Sequence, residues 1–215
     1  MKIVVLLGAP GSGKGTIAGR LAASDSTFRH ISSGDLLRDA VKRSTLAGAE
    51  ADGYMKRGEL VPDALVGRMI ADLLAGLDGS LTLLLDGFPR TVAQALILDE
   101  ISARCGAVVG AVVLFEVDDA VLVERIAGRR HCPACGRGYH VTNIAPRRAG
   151  FCDACGTALA VRKGANPETV VNRLAVYREQ TVPLVDFYSA RGLLRRVDGV
   201  GAKDAIVARV RQALA

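Results

Sequence analysis

The sequence contains no tryptophan, and only 4% of its 215 residues are aromatic. Its longest apolar stretch, Cys105 to Phe115, is far shorter than the roughly 20 residues that a membrane-spanning helix needs. The apolar residues 3–7 near the start are too few for a signal-peptide core. Lysine and arginine nowhere form the run of about 5–8 that marks a polybasic segment. We therefore expect a protein of the cytoplasm, with neither a membrane anchor nor a basic arm for nucleic acid.

The charge balance nevertheless favours anionic partners. Twenty-eight lysines and arginines against 22 acidic residues give a formal net charge of +6 and an isoelectric point near 9.3. Because this excess is spread through the chain, it fits a nucleotide pocket better than an extended nucleic-acid surface.

Strand-like and helix-like segments alternate along the chain. A β-rich run at residues 2–7, short strand-like segments at 28–31 and 193–197, and apolar runs at 81–86 and 111–117 are separated by helical patterns. Continuous apolar strands alternating with helices predict a parallel sheet covered on both faces, the doubly wound α/β class. Asn166-Pro167-Glu168 combines a cap residue, a first-turn proline and an early acid, and it predicts a helix running to about Ala190.

A glycine-rich loop follows the first strand and opens the first helix. Residues 8–16 read G-A-P-G-S-G-K-G-T, so backbone N–H groups and the helix N-terminus can surround phosphate while Lys14 reaches its oxygens. Gly15 stands where many NTPase loops have a serine or threonine that ligates magnesium. That difference disfavours GTPases and motor-type ATPases.

Five ordered segments resemble the adenylate kinases: residues 8–16, 31–38, 58–63, 85–91 and 125–130. The resemblance implies reversible transfer of the terminal phosphoryl group from MgATP to AMP, giving two ADP. It also implies a P-loop core of residues 1–31, 62–127 and 166–215, a helical AMP-binding insertion of residues 32–61, and a zinc-binding lid of residues 128–165.

Phosphoryl transfer depends mainly on positioning the reactants and neutralising charge. Arginine suits this task because its planar guanidinium grips two phosphate oxygens at once. Asp86 ends a strand at the edge where open α/β sheets bind ligands, and it is the candidate to hold the waters of magnesium. The candidate catalytic residues are Lys14, Asp86, Arg90, Arg125, Arg129, Arg162 and Arg173.

The resemblance implies two binding sets. The residues that it implies for ATP binding are Gly11, Ser12, Gly13, Lys14, Gly15, Thr16, Arg125, Arg129, Gly138, Tyr139 and Gly201. Those for AMP are Ser33, Arg38, Glu59, Leu60, Val61, Gly87, Phe88, Pro89, Arg90, Gln94, Arg162 and Arg173. Many relatives place two acids after the Arg-Lys pair at residues 162–163, whereas this chain has Gly164 and Ala165, so a carboxylate contact that helps the lid to close is not expected here.

The cysteines indicate a metal site. Two C-x-x-C-G motifs begin at Cys132 and Cys152, with 16 residues between Cys135 and Cys152. Four thiolates at this spacing predict one structural zinc bound by Cys132, Cys135, Cys152 and Cys155. Disulfides are the alternative in an oxidising compartment, and His131 or His140 could replace a thiolate.

Two other functions remain open from the residues alone. A kinase for another nucleoside monophosphate, such as UMP or CMP, needs the same loop and arginines. A P-loop ATPase whose zinc ribbon binds nucleic acid would also combine these motifs, although only Tyr139 and Phe151 in the insertion could stack on bases. We expect a monomer, because the sequence indicates no self-complementary patch.

Overall fold

The computed structural model describes residues 1–161 and 167–215. In chain order its elements are β1 (Lys2–Leu7), α1 (Lys14–Ser24), β2 (Phe28–Ser32), α2 (Ser33–Lys42), α3 (Leu46–Arg57), α4 (Asp63–Ala75), β3 (Thr82–Asp86), α5 (Val92–Arg104), β4 (Val108–Glu116), α6 (Asp119–Ala127), β5 (Arg129–His131), β6 (Gly138–His140), β7 (Ala160–Val161), α7 (Pro167–Val176), a π-helical turn (Tyr177–Thr181), α8 (Pro183–Ser189), β8 (Leu194–Asp198) and α9 (Lys203–Leu214).

A five-stranded parallel sheet forms the centre of the molecule. Its strand order is β2-β3-β1-β4-β8, and Val5 of β1 lies beside Leu85 of β3 and Val112 of β4. Every crossover contains a helix, as parallel strands require. The α/β doubly wound class predicted from the sequence is confirmed.

Alternate residues of β1 enter two different cores. Ile3 and Val5 pack into a core that also contains residues of α4, α5 and α8. Val4 and Leu6 face the opposite side, where they pack with residues of α1 and α9. Burial on both faces explains why this strand reads as an uninterrupted apolar run rather than an alternating one.

Two groups of elements depart from the strand–helix alternation. Helices α2 and α3 fall within residues 32–61, and β5, β6 and β7 form a separate antiparallel sheet within residues 128–161. The small sheet buries little apolar area besides Cys132, Tyr139, Cys152 and the partly buried Leu159. Such a core is too small to fold by hydrophobic burial alone, which points to a stabilising metal.

The sequence predicted one continuous helix from Asn166 to about Ala190, and this prediction of continuity was wrong. Helix α7 ends at Val176, a π-helical turn follows, and α8 begins at Pro183. Pro183 has no N–H and its ring would clash with a carbonyl one turn earlier, so the chain widens before it. No helix within residues 1–161 and 167–215 combines the length and apolar character needed to cross a membrane.

Candidate active site

The phosphate loop lies at the carboxyl edge of the sheet, between β1 and α1. Gly11 and Gly13 have φ values of 91° and 96°, in the left-handed region that favours glycine. A side chain at Gly11 would also start 2.8 Å from Ile126 Cγ1, so the loop packs closely against α6. The glycine spacing seen in the sequence thus serves both backbone conformation and close packing.

The Lys14 ammonium group lies inside this loop. Its Nζ atom donates hydrogen bonds to the carbonyls of Gly8 (2.6 Å) and Ala9 (3.1 Å) and to Ser12 Oγ (3.2 Å). Burial lowers the pKa of Lys14 to about 8, and nearby arginines lower it while Asp86 raises it. A lysine with a lowered pKa inside a phosphate loop marks a site built to receive negative charge.

Asp86 lies at the end of β3, beside Gly15 of α1. A Cβ atom at Gly15 would lie 2.9 Å from Asp86 Oδ2, so glycine keeps the space in front of this carboxylate open. Burial disfavours its charged form, but His30 and the charges of Lys14 and Arg90 outweigh burial, so the pKa of Asp86 lies below its usual value. An ionised carboxylate facing an open space beside the phosphate loop fits a Mg²⁺ ion and its waters.

Three arginines converge on the same place from different elements. Arg90 follows β3, Arg129 begins β5, and Arg173 lies on α7. Burial lowers the pKa of all three guanidinium groups, that of Arg173 to about 10, and repulsion from Arg90 and Arg129 lowers the pKa of Arg173 further. Arg38 of α2 repels all three and lowers the pKa of each, while Asp86 attracts Arg90 and Arg129. Cations held together in this way, in excess over Asp86, form an anion-binding pocket.

Arg125 and Arg38 occupy the two flanks of this pocket. Arg125 donates to the carbonyls of Ser12 (3.3 Å) and Gly199 (3.1 Å), so its guanidinium lies against the phosphate loop. Arg38 forms an ion pair with Asp35, and 43% of its side chain is exposed.

Several other residues predicted for the AMP site surround Arg90. Its Nε donates to the carbonyl of Gly87 at 2.8 Å, and a Cβ atom at Gly87 would lie 2.6 Å from Ser33 Oγ. Gln94 is buried, accepts a hydrogen bond from the Arg90 backbone N–H (2.7 Å) and donates one to Asp63 Oδ1 (2.7 Å). These contacts bring the predicted residues of 87–94 and Ser33 into one group.

The remaining predicted residues that the structure describes lie on other segments. The Glu59 carboxylate accepts two hydrogen bonds from Arg57, and Leu60 and Val61 follow it toward α4. Gly138 and Tyr139 lie on β6, paired with β5, and Gly201 precedes α9 with a φ of 112°. Arg162 lies outside the described residues, as do Gly164 and Ala165.

Sequence reasoning missed several residues that complete the site. His30 of β2 lies with its Nε2 atom 3.9 Å from Asp86 Oδ2, beyond hydrogen-bonding distance. Asp63 orients the Gln94 amide, and the Gly199 carbonyl holds Arg125. All three depend on contacts between distant segments. His30 could have been placed beside Asp86 only if the sequence had indicated that β2 pairs with β3.

The four predicted zinc ligands come together in the small sheet. Their sulfur atoms all lie within 4.8 Å of one another, with separations of 3.4 Å for Cys132–Cys155 and 3.5 Å for Cys135–Cys152. Tetrahedral zinc with bonds of about 2.3 Å places sulfurs about 3.8 Å apart, so the cluster fits this ion.

Both cysteine motifs form the same turn. The N–H of Gly136 donates to the Cys132 carbonyl, and the N–H of Gly156 donates to the Cys152 carbonyl, at 2.9 Å and 2.8 Å. Both glycines have positive φ values. The repeated turn brings two thiols from each motif to one point.

Other candidate groups in this sheet have different partners. Both ring nitrogens of His140 contact groups other than the cysteines, which argues against it as a ligand. Tyr139 is buried and its hydroxyl contacts Cys152 Sγ and the N–H of Asp153, so its ring is not open to stack on a base.

Comparisons with known proteins agree with this geometry. The family model described as adenylate kinase matches residues 6–193. An adenylate kinase of Lachnospira eligens is 44% identical over 96% of this chain and 97% of its own length. Those of Anaeromyxobacter sp. and Rhizorhabdus wittichii are 44% and 48% identical, over 99% and 92% of both chains. The chain belongs to the adenylate kinase family.

Family membership establishes the reaction class. Adenylate kinases are phosphotransferases whose substrates are ATP and AMP, and this chain is an enzyme of that kind. The four-cysteine cluster supports the type of adenylate kinase that carries a zinc-binding lid.

Proposed function

We propose that this chain moves the terminal phosphoryl group of MgATP to AMP by holding the two nucleotides end to end in the pocket of Lys14, Arg90, Arg129 and Arg173. The observation that carries the proposal is the convergence of these partly buried cations beside Asp86. Burial lowers the pKa of each of the four cations. Their positive charge complements the negative charge that spreads over the transferred phosphoryl group in the transition state.

The phosphate loop, residues 11–16, would bind the phosphates of ATP, with Lys14 on the terminal ones. Arg125 and Arg129 would contact ATP from the side of α6 and β5, and Gly138, Tyr139 and Gly201 would contact it further from the reacting centre. The proximity of Arg125 to Ser12 supports this side of the assignment.

AMP would bind on the side of Arg90. Arg90 and Arg38 would grip its phosphate, and Ser33, Gln94 and residues 59–61 and 87–89 would line the rest of its site. Support comes from the contacts that join Ser33, Gly87 and Arg90 and from the fork geometry with which arginine binds phosphate.

Asp86 would hold the magnesium ion that accompanies ATP. Bound there, Mg²⁺ would neutralise charge on the phosphate oxygens. The role of this chain is to keep Asp86 ionised and to leave space in front of it, which His30, Lys14 and Gly15 favour.

Residues 128–165 would form a lid that excludes water, the competing acceptor, and residues 32–61 would close over AMP. Arg162 and Arg173 would then reach both phosphates. Arg173 already packs beside the insertion, since a Cβ atom at Gly58 would lie 2.9 Å from Arg173 Cγ. We also propose that the enzyme works as a monomer in the cytoplasm, where four clustered thiols stay reduced.

A two-substrate assay tests the function. Purified protein with Mg²⁺, ATP and AMP should form ADP, and ADP alone should yield ATP and AMP. The same assay with CMP, UMP and GMP as acceptors ranks their kcat/KM values. A higher kcat/KM for CMP or UMP than for AMP would identify that nucleotide as the preferred acceptor. ATP hydrolysis without phosphoryl transfer to any acceptor would contradict kinase activity.

The lowered pKa of Lys14 leads to a prediction about pH. We expect kcat/KM for ATP to fall as the pH rises through about 8, because the ammonium loses its proton and with it the charge that attracts phosphate. The kcat value at saturating ATP should fall only at higher pH, since bound phosphate favours the charged lysine. Initial rates at a series of pH values check this, and a kcat/KM profile that stays flat well above that pH would contradict it.

The cysteine cluster leads to a prediction about metal. We expect about one zinc per chain by metal analysis, and almost none in Cys152→Ser. The variant should melt at least about 5 °C lower, because the small sheet has little other support. Cys105→Ser, outside the cluster, is the matched control and should keep its zinc. Equal melting temperatures for both variants would show that the metal does not stabilise the fold.

A further inference from the structure

His140, at the end of β6, packs directly on the backbone of Gly128 at the end of α6. The side chain is 7% exposed, and a Cβ atom at Gly128 would lie 2.3 Å from His140 Nε2. Gly128 has a φ of −73°, which any residue adopts. It is therefore space for the imidazole, and not backbone conformation, that requires glycine at this position.

The hydrogen bonds of the ring define its protonation state. The backbone N–H groups of Thr142 and Asn143 and the Thr142 hydroxyl all lie 3.1 Å from Nδ1. Because the two backbone N–H groups can only donate, this nitrogen is unprotonated. Nε2 therefore carries the hydrogen, and it donates to the Arg125 carbonyl at 3.0 Å. That carbonyl lies in the last turn of α6, where carbonyls lack an amide partner within the helix.

This ring connects the lid to the phosphate loop through two neighbouring residues. On the lid side, Tyr139 precedes His140 and contacts Cys152 of the cysteine cluster. On the other side, the Arg125 residue whose carbonyl accepts from His140 donates with its guanidinium to Ser12. The backbone bond from the Val141 N–H to the Gly128 carbonyl, 3.0 Å, runs alongside.

We propose that neutral His140 is a positioning residue that fixes β6 of the lid against the phosphate-binding end of α6. It thereby holds the Gly138–Tyr139 backbone in register with Arg125 and Arg129. The inference rests on the proposed function, because these are the residues proposed to contact ATP.

The surroundings of the ring favour the neutral form. Burial lowers the pKa of His140, and Arg129 and Arg130 of β5 lower it as well, while Glu124 of α6 and the Arg125 carbonyl raise it. On the far side of the turn, Lys203 of α9 contacts the Asn143 carbonyl. A proton on Nδ1 would face two backbone donors, so protonation would break the turn that the ring caps.

Two substitutions test the roles of the two ring nitrogens, Nδ1 and Nε2, separately. Asparagine can place an acceptor where Nδ1 lies, but it does not reach the Arg125 carbonyl. Glutamine reaches that carbonyl with its amide. We expect His140→Asn to raise KM for ATP about 5- to 10-fold, as for loss of one buried hydrogen bond, with KM for AMP and kcat changed less than about twofold. His140→Gln should lie between this variant and the wild type.

The pH profile and the metal content complete the experiment. The KM for ATP of His140→Asn divided by that of the wild type should fall toward one as the pH drops well below 6.5, the ordinary pKa of histidine, because the wild-type ring then takes up a proton. Identical constants for the two variants, a pH-independent ratio, or loss of zinc in either variant would overturn the proposal. Loss of zinc would mean that the ring supports the metal site instead. If all variants and the wild type form ADP from ATP and AMP, the proposed function stands whatever the outcome for His140.

Discussion

Replacing Lys14 with methionine is expected to lower kcat/KM for ATP by at least about 10³-fold while leaving the fold intact. Methionine keeps most of the length of the side chain and removes the ammonium group. Three oxygens of the loop lose their hydrogen-bond donor. The loop nevertheless keeps the backbone conformation of its glycines and its packing against α6. Steady-state rates and the melting temperature of the purified variant measure the two effects separately.

Lys42→Met is the matched control, because Lys42 ends α2 on the exposed surface. It removes the same charge from the chain without touching the loop, and we expect rates within about twofold of the wild type. If Lys14→Met retained more than a tenth of the wild-type kcat/KM, the phosphate loop would not be the site of transfer.

Replacing Arg90 with glutamine should lower kcat/KM for AMP by about 10²-fold or more. Arg90 is positioned by the bond from its Nε to the Gly87 carbonyl, and its charge faces Asp86 and Arg38. The fold should survive, because the variant loses attraction to Asp86 but also repulsion from Arg38. The effect on activity and the effect on stability are thus expected to differ greatly in size.

Arg104→Gln serves as the control for this variant, since Arg104 lies in the last turn of α5 on the surface. Rates should be measured with AMP varied at saturating MgATP and with MgATP varied at saturating AMP. A larger loss of kcat/KM for ATP than for AMP would place Arg90 on the ATP side and contradict the assignment proposed here.

Local patterns in the sequence were sufficient for much of the fold. The β-rich run at residues 2–7, apolar from residue 3 onward, predicted a strand buried on both faces, and β1 has those bounds. The glycine spacing around Lys14 and the two C-x-x-C-G motifs likewise carry their geometry within a few residues. Each of these signals is local, because backbone conformation and turn formation depend on neighbours in the chain.

Contacts between distant segments were not predictable in the same way. His30 lies beside Asp86 because β2 pairs with β3, and Gln94 is oriented by Asp63 from another helix. The π-helical turn ends at Thr181, two residues before Pro183, and the helical pattern of the sequence did not reveal it. Such arrangements follow from the packing of whole elements, which periodicity in the sequence does not specify.

The hydrogen bonds of Lys14 have a consequence for product release. Because the ammonium already donates to Gly8, Ala9 and Ser12, a phosphate oxygen must compete with these acceptors for the same protons. Nucleotide binding at this point is therefore an exchange of partners with a small net gain per bond. When ADP dissociates, the three loop oxygens again accept the hydrogen bonds of the ammonium group. The partly buried cation is therefore not left without hydrogen-bond partners. A site with several positive charges can thus still release its product.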